Sequence, residues 1–166
     1  MKKLLVLAAT IVAGVAVNAA SFKWTASNMY AADQTTKYAG TVSLYAYLST
    51  ADISTVTLVD TFTPTTAGTI NNTFSDTSLT AGNTYSFFFT VEETYNGKDW
   101  IYTSKSVNVM APETTTATVA FGTQATTSRS TVTTAGGNGW YAVPEPTSGL
   151  LMLLGMAGLA LRRRRA

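Results

Sequence analysis

The chain contains no cysteine and no histidine. Without cysteine it forms no disulfide and no thiolate metal site, and without histidine it lacks the usual general base and the commonest metal ligand. Catalytic Ser-His and Cys-His pairs are therefore excluded, whereas a Ser-Lys pair is left open but has no supporting motif. We expect no enzymatic activity, no cofactor and no metal ion.

Charged residues are also scarce, at 12% of the chain, and the basic ones are concentrated at its two ends. Between residues 20 and 143 there are eight acidic and five basic side chains, a net charge of about −3. The sequence pI of about 8.9 therefore reflects the ends alone. Because no basic stripe remains between them, we expect no nucleic-acid partner.

The first nineteen residues have the pattern of a secretory signal peptide. Two lysines precede an apolar stretch from Leu4 to Val17, and the small residues Ala19 and Ala20 follow. We expect signal peptidase to cleave after Ala19, with cleavage after Ala20 as the second choice. The alternative is an uncleaved membrane anchor, but the apolar stretch is short. No twin-arginine pair is present, so we expect the unfolded chain to be exported through the secretion translocon.

The last 23 residues combine a proline motif, an apolar run and a basic cluster. Pro144, Glu145 and Pro146 come first, residues 149–161 are largely apolar, and the chain then reads Arg162, Arg163, Arg164, Arg165 and Ala166. A helix over residues 148–161 is about 21 Å long against a hydrocarbon core of about 30 Å, so it spans a bilayer only under strain. The arginines favour a cytoplasmic tail and act as a membrane stop. The alternative is a buried helix of a globular domain, against which the arginines and the internal glycines argue.

This tail resembles the PEP-CTERM sorting signal of bacterial exported proteins, over residues 143–166. The resemblance implies that Pro144, Glu145 and Pro146 form a sorting motif read by a membrane-embedded exosortase. It also implies membrane transit, processing near the motif, and then release or transfer to the cell surface. Each proline fixes φ near −65° and offers no backbone N–H, so the motif is a stiff, extended ligand suited to an enzyme groove.

The region between the two ends is predicted to be all-β. Threonine alone accounts for 31 residues, and tyrosine, valine and phenylalanine are frequent, all of which favour strands. Residues 41–48 alternate, with Val42, Leu44, Ala46 and Leu48 on one side, which predicts a strand with two distinct faces. Residues 53–62 are a second candidate, and residues 70–74 are a weaker third.

The sharpest local prediction is a hairpin around Asn96-Gly97, which suits a type I′ turn between residues 85–95 and 98–109. A two-residue loop pairs Tyr95 with Lys98 and, further along, Phe89 with Ser104. A slip of one residue would exchange the two faces, so the register is a definite prediction. The more aromatic face is predicted to form the core, and it carries Tyr85, Phe87, Phe89, Val91, Trp100 and Tyr102.

Residues 79–87 are similar to the Leu-x-Pro-Gly-Thr-x-Tyr stretch of fibronectin type III domains, in which a tyrosine corner precedes the penultimate strand. Ala81 stands where that family has proline, and the family's early tryptophan strand is not clearly present, since Trp24 lies near the start. The resemblance implies a small immunoglobulin-like or fibronectin-type-III-like β-sandwich. An unrelated small β-sandwich is the alternative.

These patterns divide the chain into four parts. The parts are a signal peptide over 1–19, a β-sandwich over 20–111, a Thr/Gly-rich strand or stalk over 112–143, and the sorting signal with its short transmembrane helix over 144–166. Residues 118–122 could add a strand in the third part. Its threonines are either solvent-facing strand residues or a surface for O-linked sugars.

The only acidic cluster, Glu92, Glu93 and Asp99, lies near the predicted hairpin tip. Glu92 and Glu93 are adjacent in a strand and therefore face opposite ways, which favours solvating charges over acid-base catalysis. A calcium site built from Glu93, Asp99 and backbone oxygens is the alternative.

Two functions remain. The first is an exported, non-enzymatic protein of the cell surface or extracellular matrix, anchored in the membrane before processing. The second is a carbohydrate-binding, less readily hydrolytic, surface protein, with an exopolysaccharide or another envelope component as its partner. The candidate sugar-stacking side chains are Tyr45, Tyr47, Trp140 and Tyr141, and core or edge packing is the more usual role of such aromatic residues.

Overall fold

The computed structural model describes residues 19–124 and 139–143, and these residues form an all-β sandwich, which confirms the predicted fold class. The predicted signal helix and C-terminal helix lie outside the described residues. A 3-10 helix covers Ile53–Thr55. The strands are β1 Ala20–Ser27, β2 Val42–Leu48, β3 Thr57–Phe62, β4 Ile70–Asp76, β5 Thr84–Tyr95, β6 Lys98–Thr103, β7 Val107–Met110, β8 Thr116–Thr123 and β9 Gly139–Ala142.

The strands form two sheets. The smaller sheet has the order β4-β1-β8, and the larger has the order β3-β2-β5-β6-β9, with β7 also paired to β5. The twelve-residue β5 is long enough to pair with β7 along its first half and with β6 along its second. Every described pairing between these strands is antiparallel except that of β1 with β8, which is parallel.

The core lies between the two sheets and is rich in aromatic side chains. On β2 the predicted alternation is confirmed, because Val42, Leu44 and Ala46 are buried while the residues between them are partly exposed. On β1, Phe22 and Trp24 are fully buried. Side chains of alternate strand residues point to opposite faces, so each of these strands gives one face to the core.

The hairpin register is confirmed. Tyr95 pairs with Lys98, and the backbone N–H of Ser104 donates to the carbonyl of Phe89 at 2.9 Å. Asn96 and Gly97 have φ of 52° and 70°, the left-handed values that a type I′ turn requires. The predicted core face is buried except at Trp100, which is partly buried.

Two predicted strands differ from the observed ones. Residues 53–62 begin with the 3-10 helix, where Asp52 Oδ1 accepts a hydrogen bond from the N–H of Ser54, so the strand starts only at Thr57. Residues 98–109 are broken into β6 and β7 at Ser104. The buried Ser104 hydroxyl donates to the carbonyl of Lys105 and accepts from the N–H of Phe89, so a side chain replaces part of the strand's backbone pairing.

The tyrosine-corner contact is present. The N–H of Thr80 donates to the hydroxyl of the buried Tyr85 at 2.9 Å. The parallel pair of β1 and β8 departs from the two antiparallel sheets of immunoglobulin-type domains. The strand expected at 118–122 exists as β8, and β9 adds a second strand from the same part of the chain. The segment boundaries given by the sequence stay predictions.

Candidate functional site

The last described residues dock on the edge of the larger sheet. In β9, Trp140 pairs with Tyr102 and Ala142 pairs with Trp100. The N–H of Val143 continues the ladder by donating to the carbonyl of Asp99 at 2.8 Å. The sheet therefore holds the chain up to the residue directly before Pro144.

Trp140 fastens β9 to the core. Its side chain is 1% exposed and its ring lies 5.6 Å from that of Tyr102. The hydroxyl of Tyr102 in turn donates to Gln124 Oε1 at 2.7 Å. Of the two readings left open for Trp140, sugar stacking and core or edge packing, the structure shows packing, because its ring is buried at the edge of the sandwich.

A surface cavity of about 490 Å³ adjoins Val143, and its lining includes the three predicted acidic residues Glu92, Glu93 and Asp99. Two of these carboxylates already have partners. Glu93 Oε2 accepts from the N–H of Ala32 at 2.6 Å, and Asp99 Oδ1 accepts from the hydroxyl of Thr94 at 2.7 Å. Within residues 19–124 and 139–143, no group of three or more acidic side chains is placed to hold a metal ion.

Tyr38 lies close to the same acidic residues. Its hydroxyl donates to the carbonyls of Thr41 at 3.0 Å and Glu92 at 3.4 Å. Burial, with the negative charges of Glu93 and Glu92, raises the pKa of Tyr38 to about 12. This phenol therefore stays protonated at neutral pH and holds the 28–41 connection against β5.

An inter-sheet contact at Asp60 was missed by the sequence analysis. Asp60 Oδ2 accepts hydrogen bonds from Trp24 Nε1 and from Asn72 Nδ2, each at 2.8 Å. Asp60 belongs to β3 in the larger sheet, whereas Trp24 and Asn72 belong to β1 and β4 in the smaller one. The carboxylate thus joins the sheets, and no local sequence pattern links these three positions.

Other acidic side chains stabilise turns. Asp33 accepts from the N–H groups of Thr35 and Thr36 and from the Thr36 hydroxyl, and these bonds hold the pKa of Asp33 well below its ordinary value. Asp76 Oδ1 accepts from the N–H of Ser78 at 2.7 Å. Hydrogen bonds to a carboxylate favour its charged form. These contacts give the carboxylates structural roles.

The remaining candidate aromatic residues, Tyr45, Tyr47 and Tyr141, are partly exposed. Tyr45 stacks on Phe88, with ring centroids 5.4 Å apart and an interplanar angle of 14°. Tyr47 meets the same Phe88 ring edge-on at 6.4 Å. Because one face of the Tyr45 ring is covered by Phe88, these rings do not form a flat row of open faces for a sugar.

The predicted signal-cleavage residues lie at the start of the fold. Ala19 is exposed, and Ala20 is the buried first residue of β1. The sorting motif Pro144, Glu145 and Pro146 and the arginines at 162–165 lie outside the described residues. Among the residues that the structure does describe, no helix has the length and apolar character needed to cross a membrane.

Comparison with known proteins bears on the C-terminal end. Residues 142–165 match the family model of the PEP-CTERM protein-sorting motif, and this match begins at the last residue of β9. No curated protein and no solved structure matches the chain. Residues 142–165 are therefore a PEP-CTERM protein-sorting motif, which makes this chain an exported, envelope-associated protein whose processing partner is an exosortase.

Proposed function

We propose that the chain is a non-enzymatic display protein of the cell surface or extracellular matrix. The observation that carries this proposal is the junction at residues 142–143, where the family match begins within β9, the last described strand of the β-sandwich. No spacer separates the described sheet from the motif, so sorting acts directly on the folded module. The module itself is the exported product.

The bonding of the carboxylates supports a non-enzymatic role. Acid-base hydrolysis needs two carboxylates that converge on one substrate bond. Here Glu93 accepts from Ala32, Asp99 from Thr94, and Asp60 from two side chains of the opposite sheet. These groups stabilise the fold, which is the use expected of a structural or interaction module.

The proposed route has three steps. Signal peptidase removes the leader after the chain enters the secretion translocon. The apolar run at residues 149–161 and the arginines at 162–165 then hold the precursor in the membrane. Finally the exosortase processes the chain near Pro144, and the sandwich is released or transferred to the surface.

The experiment compares proline variants in a host that contains the matching exosortase. Pro144→Ala with Pro146→Ala removes the stiff, extended shape of the motif, so we expect unprocessed precursor in the membrane fraction. Pro112→Ala is the matched control, because Pro112 lies outside the matched region, and it should be sorted normally. Identical fractionation of the double variant and the wild type would contradict the proposal.

Carbohydrate binding is the second candidate function, and the observation favouring it is the partial exposure of Tyr45 and Tyr47 on the outer face of the larger sheet. Retention on columns of envelope polysaccharide tests it. Display without sugar recognition predicts no retention. Retention that is lost on replacing Tyr45 and Tyr47 with alanine would favour the second candidate.

A further inference from the structure

We propose that β9 positions the sorting motif, and that the exosortase processes the motif only after β9 has left the larger sheet. Trp140 is the positioning residue of this strand. The inference rests on the proposed function, since it requires that the tail be processed near Pro144. It adds that the folded sandwich controls when processing occurs.

The residues before Pro144 are occupied by the sheet while β9 is docked. Val143 donates its N–H to Asp99, Ala142 pairs with Trp100, and the Trp140 side chain is buried. An enzyme that binds an extended peptide uses its backbone hydrogen bonds and pockets for alternate side chains. While β9 is docked, one of its backbone edges is already paired with β6. The Trp140 side chain is already buried in the sandwich, so it is unable to enter a pocket of the enzyme.

The reach of the tail gives the second argument. Only five residues, 144–148, separate Val143 from the apolar run, and fully extended they span at most about 17 Å. The radius of gyration expected for a folded domain of this size is about 14 Å, so the reach of this segment is similar to the size of the sandwich. A short tether of this kind limits how far a docked sandwich can move away from the enzyme.

Release of β9 lengthens the tether. The preceding described contact with a sheet is at Gln124, whose N–H donates to the carbonyl of Ser27 at 2.7 Å. A segment with the length of residues 125–143 spans at most about 65 Å if fully extended. This length lets the sandwich move away while the motif enters a groove.

The construction of β9 suits it to local release. It has four residues and one strand partner among the described strands, whereas β1 is held between β4 and β8. The indole N–H of Trp140 is buried without a hydrogen-bond partner. When β9 leaves the sheet this N–H regains a bond to water, which offsets part of the lost apolar contact.

The test locks β9 with a disulfide. Val143 and Asp99 form a hydrogen-bonded pair, because the N–H of Val143 donates to the carbonyl of Asp99. Trp100 and Ala142 are the next pair along the ladder and are therefore a non-hydrogen-bonded pair, in which the two side chains lie closer together. Trp100→Cys with Ala142→Cys therefore suits a disulfide, and the chain has no other cysteine to compete. The full-length precursor is oxidised with oxidised glutathione, checked by mass, and presented to membranes containing the exosortase, with and without reductant.

We expect the cross-linked precursor to be processed at least about tenfold more slowly than the same variant after reduction, because opening of β9 is blocked. Ser43→Cys with Thr61→Cys links β2 to β3 instead and is the matched control, for which reduction should leave the rate unchanged. Equal rates for the oxidised and reduced Trp100/Ala142 variant would overturn the inference. An unprocessed wild-type chain would overturn the proposed function itself, so the two failures are distinguishable.

A loosened strand gives the opposite result. In the full-length chain, Trp140→Ala should speed processing by a few-fold, whereas Tyr141→Ala on the same strand should not, because Tyr141 is only partly buried. A rate for Trp140→Ala equal to or below that of the wild type would count against a positioning role. The disulfide comparison still decides the matter if this variant fails to fold.

Discussion

Trp24 and Trp140 are both fully buried, but they differ in the bonding of the indole N–H. Trp24 donates to Asp60 across the two sheets, whereas Trp140 Nε1 has no hydrogen-bond partner among the residues that the structure describes. A buried donor without a partner costs about 1–3 kcal/mol. The comparison shows that β1 is bound by packing and polar contacts together, while β9 depends on apolar packing and a short ladder.

This difference matches what each strand does. β1 pairs on both sides and forms the centre of the smaller sheet, so its loss would open the sandwich. β9 is the strand in which the match to the PEP-CTERM family model begins, two residues before Pro144. Local opening occurs most readily in short segments at a sheet edge, and β9 has four residues and one strand partner among the described strands.

The largest effect is expected from Trp24→Ala. It creates a large cavity and also removes the bond to Asp60, so the free energy of unfolding should fall by about 5 kcal/mol, the upper end for such substitutions. Trp140→Ala should cost about 3 kcal/mol, the lower end, because no hydrogen bond is lost. Urea unfolding followed by the remaining tryptophan fluorescence measures both. Equal losses of unfolding free energy for the two variants would contradict the proposed difference between Trp24 and Trp140.

The next largest loss of stability is expected from replacing Asp60, which accepts the hydrogen bond from the indole of Trp24. Asp60→Ala leaves Trp24 Nε1 and the Asn72 amide without their shared partner, so it should cost about 2–3 kcal/mol. The double variant Asp60→Ala with Trp24→Phe should lose less unfolding free energy than the sum of the two single losses, since both substitutions remove the same bond. Asp52→Ala removes a single exposed cap bond and is the comparison variant, which should lower the unfolding free energy measurably but less than Asp60→Ala. Full additivity would show that the inter-sheet bond contributes nothing.

A smaller difference in unfolding free energy is expected between Trp24→Phe and Trp140→Phe. Each keeps an aromatic ring and removes the indole N–H, but only Trp24→Phe also leaves Asp60 short of a donor. Trp24→Phe should therefore cost about 1–2 kcal/mol more than Trp140→Phe. Calorimetric unfolding of the two variants would measure this difference. A larger loss at Trp140 would reverse the comparison.

An effect confined to high pH is expected from a third buried aromatic side chain. Tyr38 has its pKa raised from 10.0 to about 12 in the folded chain. Its contribution is complete below pH 10 and is lost between about pH 10 and 12, because there the unfolded chain ionises while the folded chain keeps the proton. Tyr38→Phe should flatten the fall in stability over this range. If the curves of unfolding free energy against pH ran parallel for the wild type and the variant, this role of Tyr38 would be contradicted.

Local features of the fold were predictable from the sequence. The Asn96-Gly97 turn, the alternation in β2 and the contact of Tyr85 with Thr80 each depend on residues close together in the chain. Long-range features were not. The contact between Trp24 and Asp60 joins positions 36 residues apart, and the parallel pairing of β8 with β1 has no local signal.

At the C-terminal part of the chain, too, local features were predictable from the sequence and long-range contacts were not. The proline motif, the apolar run and the arginines follow one another directly, so the sequence identified them together. The docking of the preceding strand was missed, because four residues are too few to show a strand period. The sequence therefore left Trp140 open between sugar stacking and packing, and its pairing opposite Tyr102 places it in the core.

The central claim is that this sandwich reaches its destination through processing next to β9. Its most direct test is the intact mass of the protein from its exosortase-containing host and from the same host without that enzyme. We expect a new C-terminus near Pro144–Pro146 in the first case and a chain that keeps the arginines at 162–165 in the second. A chain that keeps these arginines in both hosts would show that no processing occurs next to β9.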